Sequence, residues 1–140
     1  MGKRSTGRKL AMQLLYQHEI KQVEFEEVKA VFESHSTYQK ETKEWALKLF
    51  ESTIKYQFDC DELIKKYAIK WDIDRLNLVD KSILRLAFYE LLFTETPYTI
   101  VVNEAIELSK RYSTEESPKF INGILGTYVK DTCLQGSSKD

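Results

Sequence analysis

Four basic side chains and no acid lie within the first eighteen residues of the chain: Lys3, Arg4, Arg8 and Lys9. Basic groups without acidic neighbours can neutralise phosphates, and binding of that kind weakens as the salt concentration rises. Arg4 and Arg8 are four residues apart, so a helix that reaches back to Arg4 would place both on one face. Charge alone favours the simpler alternative, which is a frayed and solvated terminus.

A second pair of residues with suitable chemistry lies near the other end of the chain. Lys119 and Phe120 follow Ser117-Pro118, which predicts a helix start with serine as N-cap and proline at the first helical position. A helix N-terminus offers backbone N–H groups to phosphate, and an aromatic ring can stack on an unstacked RNA base. The alternative is that Phe120 is an ordinary core residue.

Little in the sequence supports catalysis. It contains no Gly-rich phosphate loop, no serine in a nucleophile-elbow motif and no evident pairing of a nucleophile with a base. Glu104 and Glu107 could be paired carboxylates, but a solvated face or salt bridges to Lys110 and Arg111 explain them better. We therefore predict that the protein is not an enzyme.

The histidines and cysteines do not have the spacing of a metal site. His18, His35, Cys60 and Cys133 are each isolated in the sequence. His18 lies on the apolar side of the first predicted helix, which indicates a structural histidine with a hydrogen bond. No metal or other cofactor is predicted.

The composition is typical of a globular, helical protein. Hydrophobic residues make up 42% of the chain, charged residues make up 31%, and the formal net charge is −1. Only five glycines and two prolines interrupt the chain, which favours long helices. The two separated cysteines are expected to be reduced. No segment approaches the roughly 20 apolar residues of a membrane span, and the start of the chain is too polar for a signal peptide. We expect a cytoplasmic protein with no membrane partner.

The longest apolar segment, residues 79–93, is predicted to be a central helix. Ile83 and Leu91 belong to an apolar face so broad that it leaves almost no polar side, which indicates a helix enclosed by others. About fifteen residues without Gly or Pro is long for a strand. Arg85 and Glu90 interrupt the segment, and each needs a partner because an unpaired buried charge is costly.

Helical spacing predicts further helices on both sides of this segment. They cover residues around 10–18, a short stretch from 25, residues 39–57 and 61–67, a stretch from about 99, and a last one from 117. Ser5 or Thr6 is the expected N-cap of the first helix, and Gly123 is expected to let a neighbouring helix approach closely. The prediction is an all-α fold, a compact bundle of about seven helices, in one domain over residues 1–134 with a mobile tail at 135–140.

Four stretches together resemble the NusB family of transcription antitermination factors. Residues 8–17 (RKLAMQLLYQ) resemble the opening helix of that family, and residues 83–91 (ILRLAFYEL) resemble its central helix. Pro97 followed by residues 102–110 (VNEAIELSK), and then residues 119–125 (KFINGIL), complete the pattern. The resemblance covers nearly the whole chain in the right order.

The resemblance implies an all-helical protein without catalysis that binds the boxA element of nascent ribosomal RNA transcripts. Family members bind this RNA together with NusE, a ribosomal small-subunit protein. The pair helps the RNA polymerase of the transcription elongation complex to read through terminators. The RNA-binding positions that it implies, with Lys3 of the same basic segment, are Lys3, Arg4, Arg8, Gln13, Glu116, Lys119 and Phe120. The implied NusE-binding positions are Tyr16 and Asp80, the latter at the exposed start of the central helix.

The resemblance also implies how these residues are arranged. The two basic segments would form one RNA surface if the first helix lies beside the start of the last one. Ser5 and Thr6 stand where some family members carry arginines, so weak RNA affinity is expected without the partner. Replacing Tyr16 or Asp80 with alanine is expected to weaken NusE binding with little loss of thermal stability.

Two other functions fit the sequence. A protein-only adaptor or a homodimer would use the same helical faces without RNA. Some RNA methyltransferases carry a NusB-like domain before their catalytic domain, but no Gly-rich cofactor loop occurs in this chain. Reversing the charges of Arg4 and Arg8 is expected to separate RNA binding from adaptor binding.

Overall fold

Seven α-helices and one short 3₁₀ helix make up the computed structural model of the protein, which describes residues 2–35 and 37–135, with side chains at 2–34 and 37–132. The α-helices are α1 (Lys3–Lys21), α2 (Phe25–His35), α3 (Lys40–Lys55), α4 (Gln57–Tyr67), α5 (Leu78–Phe93), α6 (Tyr98–Tyr112) and α7 (Ser117–Gln135), and the 3₁₀ turn covers Ile73–Arg75. No strand occurs in the described ranges, so the predicted all-α bundle of about seven helices is confirmed. None of the described helices is long and apolar enough to cross a membrane.

α1 and α4 begin earlier in the chain than predicted. α1 begins at Lys3, and Gly2 rather than Ser5 or Thr6 precedes its first turn. α4 begins at Gln57 instead of residue 61, so only Tyr56 separates it from α3. Of the predicted tail at 135–140, the first residue ends α7 and the others lie outside the described residues.

α5 occupies the centre of the bundle, as predicted. The side-chain oxygen of Asn77 accepts hydrogen bonds from the backbone N–H groups of Val79 and Asp80 at 2.9 and 3.0 Å, which caps the first turn. The helices α1, α3, α4, α6 and α7 all pack against α5. Ile83 and Phe88 are at most 1% exposed. This enclosure is the reason that the segment has almost no polar face.

Arg85 and Glu90, the two charges in the middle of α5, have partners, as predicted. The Arg85 guanidinium makes two hydrogen bonds to the Asp61 carboxylate, at 2.7 and 3.0 Å, and a further one to Glu19. Lys81 lies one turn earlier, and its ammonium is 3.2 Å from the same Glu19 carboxylate. These ion pairs join α5 to α1 and α4, and they supply the partners without which buried charge would be strongly destabilising. Glu90 pairs with α1, in a contact described below.

One prediction about a single residue is wrong, and another is confirmed only in part. Gly123 is exposed, and a Cβ added there would meet no atom within 4 Å, so no helix approaches it closely. His18 packs edge-on against Phe50, with 5.9 Å between ring centroids. Its buried Nδ1 has no hydrogen-bond partner in the described part of the chain.

Cys60 is a free, buried cysteine, and the side chain of Cys133 lies outside the described residues.

Candidate nucleic-acid interface

The first turn of α1 is held against α3. Lys3 and Arg4 are exposed, and the guanidinium carbon of Arg4 lies 4.3 Å from the centroid of the Trp45 ring. The Lys3 ammonium lies 3.2 Å from the Glu41 carboxylate in an exposed ion pair, which contributes little by itself. The negative face of an indole attracts a cation, so Trp45 orders a segment that charge alone would leave frayed.

Gly7 allows this close contact between α1 and α3. A Cβ added at Gly7 would overlap Cε3 of Trp45 and would lie 2.8 Å from Cζ3. The indole therefore lies directly on the backbone of α1, where Gly7 is buried. A residue with any side chain would push Trp45, and with it the platform under Arg4, away from α1.

Arg8 points into the core, unlike Arg4. It is 5% exposed, and its guanidinium donates to both carboxylate oxygens of Glu90, from Nε at 2.7 Å and from Nη2 at 2.9 Å. Glu104 lies 3.5 Å from Nη1. Burial by itself would lower the pKa of Arg8, but the hydrogen bonds and charges of Glu90 and Glu104 raise it above its ordinary value. Arg4 and Arg8 share a face of α1, as expected, because the Arg8 guanidinium carbon also lies 5.2 Å from the centroid of the Trp45 ring. They differ in burial, since Arg4 is exposed and Arg8 is not.

An open cleft of about 370 Å³ lies beside Arg4. Its walls come from the start of α1, from α3 and from the start of α6: Arg4, Ser5, Arg8, Trp45, Thr96, Pro97, Ile100 and Glu104. We call it the α1 cleft. It combines an exposed guanidinium with an indole and an apolar wall, the groups that bind the phosphate and the base of a single-stranded nucleotide.

A second cleft, of about 460 Å³, opens at the start of α7. Its lining includes three predicted RNA-binding residues, Glu116, Lys119 and Phe120. Trp71 and Arg75, from the connection between α4 and α5, complete one side. Phe120 is half-buried, so it contributes to the core and to the surface at once. We call this the α7 cleft.

Asp80 lies at the floor of the α7 cleft. The prediction that it is exposed is wrong. It is 6% exposed, and its carboxylate accepts hydrogen bonds from the hydroxyl groups of Ser113 and Ser117. The Asn77 amide donates to Ser113 at 3.1 Å. This network ties the start of α5 to the turn between α6 and α7. Asp80 therefore positions the walls of the cleft and offers little surface of its own to a partner.

Gln13 and Tyr16 lie on α1 outside both clefts. Gln13 lines a groove of about 290 Å³ between α1 and α2, together with Phe32 and Tyr38. Tyr16 is half-buried and lines neither the α1 cleft nor the α7 cleft. The fold therefore brings Glu116, Lys119 and Phe120 together with Asp80, but it does not bring Gln13 into the cleft at Arg4.

α6 separates the two clefts. α1 packs mainly on α3 and α5, whereas α7 packs mainly on α6 and α4. The condition for a single RNA surface, that α1 lies beside the start of α7, is therefore not met in the described helices. A groove of about 260 Å³ between α1 and α6 shares Ser5 and Glu104 with the α1 cleft and extends to Arg111 and Tyr112. These last two residues precede Thr114 of the α7 cleft by a few positions, so a ligand that uses both clefts follows α6.

Sequence reasoning does not find Trp45, Trp71 or Arg75 as site residues. Trp45 falls on the apolar stripe of α3, where a core role is the default. Trp71 and Arg75 lie in a connection without helical periodicity. The one sequence signal that could have found Trp71 is its position among charged residues outside any apolar stripe. Such a ring has no evident core to pack in, which indicates a surface role.

Comparison with known proteins shows which family the chain belongs to. The model of the NusB family matches residues 5–130. The transcription antitermination protein NusB of a Nitratiruptor species is 36% identical over 139 residues, which cover 99% of each chain. The solved structure of T. maritima NusB is 38% identical with a TM-score of 0.80, covering 93% of this chain and 92% of that chain. A crystal structure of the antitermination factors NusB and NusE in complex with dsRNA matches with a TM-score of 0.82 at 30% identity, covering 94% of this chain and 98% of that chain. The chain belongs to the NusB family.

Proposed function

We propose that this protein is a transcription antitermination factor that binds boxA RNA of nascent ribosomal RNA transcripts together with NusE. The pair promotes read-through by RNA polymerase in the elongation complex. Membership of the NusB family supports the proposal, as does the likeness to a chain from a crystal structure of NusB and NusE with dsRNA. The observation that carries it is the exposed Arg4 guanidinium, held 4.3 Å over Trp45 beside an open cleft.

The α1 cleft supplies one half of the proposed RNA surface. Lys3 and Arg4 are exposed cations that neutralise phosphates, so the affinity falls as salt rises. Because Trp45 already holds Arg4, less side-chain freedom is lost when RNA binds. Arg8 lines the same cleft, and its proposed role is mainly to join α1 to Glu90 in the core.

The α7 cleft supplies the other half. Lys119 is an exposed cation, and the half-buried ring of Phe120 offers stacking surface. Glu116 is exposed and its carboxylate can accept hydrogen bonds from the amino groups of bases. Gln13 is the remaining proposed RNA contact, and its side chain lies in the groove between α1 and α2.

NusE is proposed to bind at Tyr16 and at the edge of the Asp80 network. A half-buried tyrosine offers a partner both apolar ring surface and a hydroxyl group. Asp80 contributes indirectly, because its carboxylate holds the hydroxyl groups of Ser113 and Ser117. Tyr16→Ala is therefore expected to weaken NusE binding without unfolding the protein, whereas Asp80→Ala changes stability as well.

A gel-shift titration with boxA RNA and scrambled RNA, with and without NusE and at two salt concentrations, tests the proposal. Arg4→Glu is the informative variant, because Arg4 is exposed and its reversal does not disturb the core. Lys48→Glu, an exposed charge reversal on α3, is the matched control. With NusE present, we expect tighter binding of boxA than of scrambled RNA. Arg4→Glu is expected to bind more weakly, with a salt slope smaller by about one.

Equal affinity for boxA and scrambled RNA would contradict the proposal. So would an Arg4→Glu protein that binds as tightly as the wild type. If Lys48→Glu lost as much affinity as Arg4→Glu, the effect would follow from net charge and not from the α1 cleft, and the assignment of that cleft would fail.

A homodimer or protein-only adaptor is the second candidate function, and an exposed aromatic surface favours it. Tyr56 stacks on Phe93 with 4.1 Å between ring centroids, and Phe93 is 43% exposed. Exposed apolar groups that cluster mark protein-binding surfaces. Sedimentation of the wild type and of Phe93→Ser without RNA tests it. If the wild type is a dimer and the variant is a monomer, the result supports this candidate. If the wild type is a monomer at every concentration, the homodimer is excluded.

A further inference from the structure

The α7 cleft contains two side chains that the RNA-binding positions above do not include. Trp71 is 58% exposed, and Arg75 beside it in the cleft lining is exposed as well. Neither side chain belongs to the buried core. Their types, a large aromatic ring and a guanidinium, are those that single-stranded nucleic acids bind.

The rings of Trp71 and Phe120 form a corner. Their centroids are 5.5 Å apart and their planes are inclined at 72°. Because the planes are nearly perpendicular, neither ring is stacked face to face on the other. A third flat ring can therefore stack in the corner and gain the offset or edge contacts that aromatic groups prefer.

The size and charge of the α7 cleft fit a nucleotide. Its volume of about 460 Å³ lies within the range of pockets that enclose small organic groups. Arg75 and Lys119 are exposed cations of the lining, which suits an anionic backbone. The Asp80 carboxylate at the floor is occupied by the hydroxyl groups of Ser113 and Ser117, so the exposed charges of the lining are those of Arg75, Lys119 and Glu116.

We propose that the α7 cleft binds one unstacked nucleobase of single-stranded RNA, with Trp71 as the stacking platform and Arg75 as a phosphate-binding side chain. The inference rests on the proposed function, because it names the part of the RNA that occupies this cleft. The base stacks in the corner between Trp71 and Phe120. Arg75 and Lys119 neutralise the adjoining phosphates. Glu116 accepts a hydrogen bond from an amino group of the base.

Substitutions at Trp71 test the stacking, by titration of boxA RNA with NusE present. We expect Trp71→Ala to weaken binding about tenfold, or about 1.4 kcal/mol, which is within the range of one base–aromatic stack. Trp71→Phe keeps a ring and is expected to retain most of the affinity. Ile69→Ala removes an apolar side chain that is 82% exposed, two positions away, and it is the control that should bind as the wild type does.

Fluorescence reports the same contact without relying on affinity. The chain has two tryptophans, Trp45 and Trp71, so selective excitation of tryptophan reports Trp71 in a Trp45→Phe protein. Because Trp45 belongs to the α1 cleft, the RNA affinity of this protein is measured first, and the RNA is added to saturation. A base that stacks on Trp71 is expected to quench this emission. In a series of boxA RNAs with one abasic nucleotide each, one member should fail to quench. It should also lose more affinity for the wild type than for Trp71→Ala, because the removed base and the removed ring share a contact.

The outcomes separate this inference from the proposed function. If the wild type with NusE does not prefer boxA RNA, the proposed function itself fails. If Arg4→Glu weakens RNA binding while Trp71→Ala does not, the proposed function stands and the nucleobase site is overturned. If Trp71→Ala weakens NusE binding in the absence of RNA and no RNA quenches Trp71, the α7 cleft binds protein and the inference is wrong. If Trp71→Ala fails to fold, the affinity of Trp71→Phe and the quenching by the abasic RNAs test the nucleobase site. Equal quenching by every abasic RNA would then overturn the inference.

Discussion

Arg8 and Glu90 are 82 residues apart in the sequence and meet in the interior through two hydrogen bonds of 2.7 and 2.9 Å. Glu90 is 1% exposed, so its carboxylate has exchanged water for this guanidinium. The pair joins α1 to α5, and Glu104 extends the contact to α6. A residue of the basic segment thus fixes the helix that carries the exposed Arg4.

Removing Arg8 is expected to destabilise the protein strongly. Arg8→Ala leaves the Glu90 carboxylate buried without its partner, which lowers the free energy of unfolding by about 3–5 kcal/mol. Arg4→Ala loses only an exposed cation–π contact of about 0.5–1 kcal/mol. Urea unfolding followed by circular dichroism measures both. Equal losses for the two variants would contradict the distinction between a buried and an exposed arginine.

Two glycine substitutions are expected to change stability in opposite directions. Gly123→Ala replaces glycine in an open helical position and should stabilise the protein by about 0.5–1 kcal/mol. Gly7→Ala places a methyl group against the Trp45 ring and should destabilise it by about 1–3 kcal/mol. Thermal melts compare the two, and Trp45→Leu should recover part of the loss in Gly7→Ala. Stabilisation by Gly7→Ala would mean that Trp45 moves aside freely.

Asp80→Ala is expected to lower the stability of the protein, contrary to the sequence-based expectation. The substitution removes the charged acceptor of the Ser113 and Ser117 hydroxyl groups, at a cost of about 1–3 kcal/mol. Asp74→Ala, at an exposed position of the connection before α5, is the control and should change little. If both variants unfold at the same temperature as the wild type, Asp80 is a surface group after all.

Glu19 should make stability depend on pH in the acidic range. Burial acts to raise its pKa, but the hydrogen bonds and charges of Arg85 and Lys81 prevail and hold it below the ordinary value of 4.5. The ionised carboxylate therefore stabilises the fold fully above about pH 4.5, and this contribution is lost as pH falls through the lower folded pKa. Glu19→Gln should be less stable than the wild type at neutral pH.

The difference between Glu19→Gln and the wild type is expected to shrink on acidification below about pH 4.5. Urea unfolding of both proteins at several pH values measures it. Glu44→Gln, an exposed substitution on α3, is the control for general effects of removing one acid. A difference that grows as pH falls would show that the pKa of Glu19 is raised in the folded state.

The helices could be predicted because their signals are local. The apolar run of α5 contains no Gly or Pro, and burial of that run required partners for Arg85 and Glu90 whatever the rest of the fold. The identity of the partners depends on tertiary packing. Asp61 and Glu19 lie 24 and 66 residues from Arg85, and no periodicity within one helix indicates such a pairing.

The site was harder to predict because charge does not reveal orientation. Arg4 and Arg8 both lie over Trp45, yet Arg4 is exposed and Arg8 is buried in an ion pair with Glu90. Asp80 occupies the first turn of a helix, where acids are favourable even when exposed. Its burial follows from the turn between α6 and α7, which packs on that end of α5.

The length of α6 has a consequence for any strand that occupies both clefts. Thr96 and Pro97 line the α1 cleft just before this helix, and Thr114 lines the α7 cleft just after it. With 15 residues, the helix spans about 22 Å at 1.5 Å per residue. Inserting one residue would change that span by about 1.5 Å and turn one end by about 100° relative to the other. A polymer that occupied both clefts would therefore need contact points whose spacing matches the length of α6.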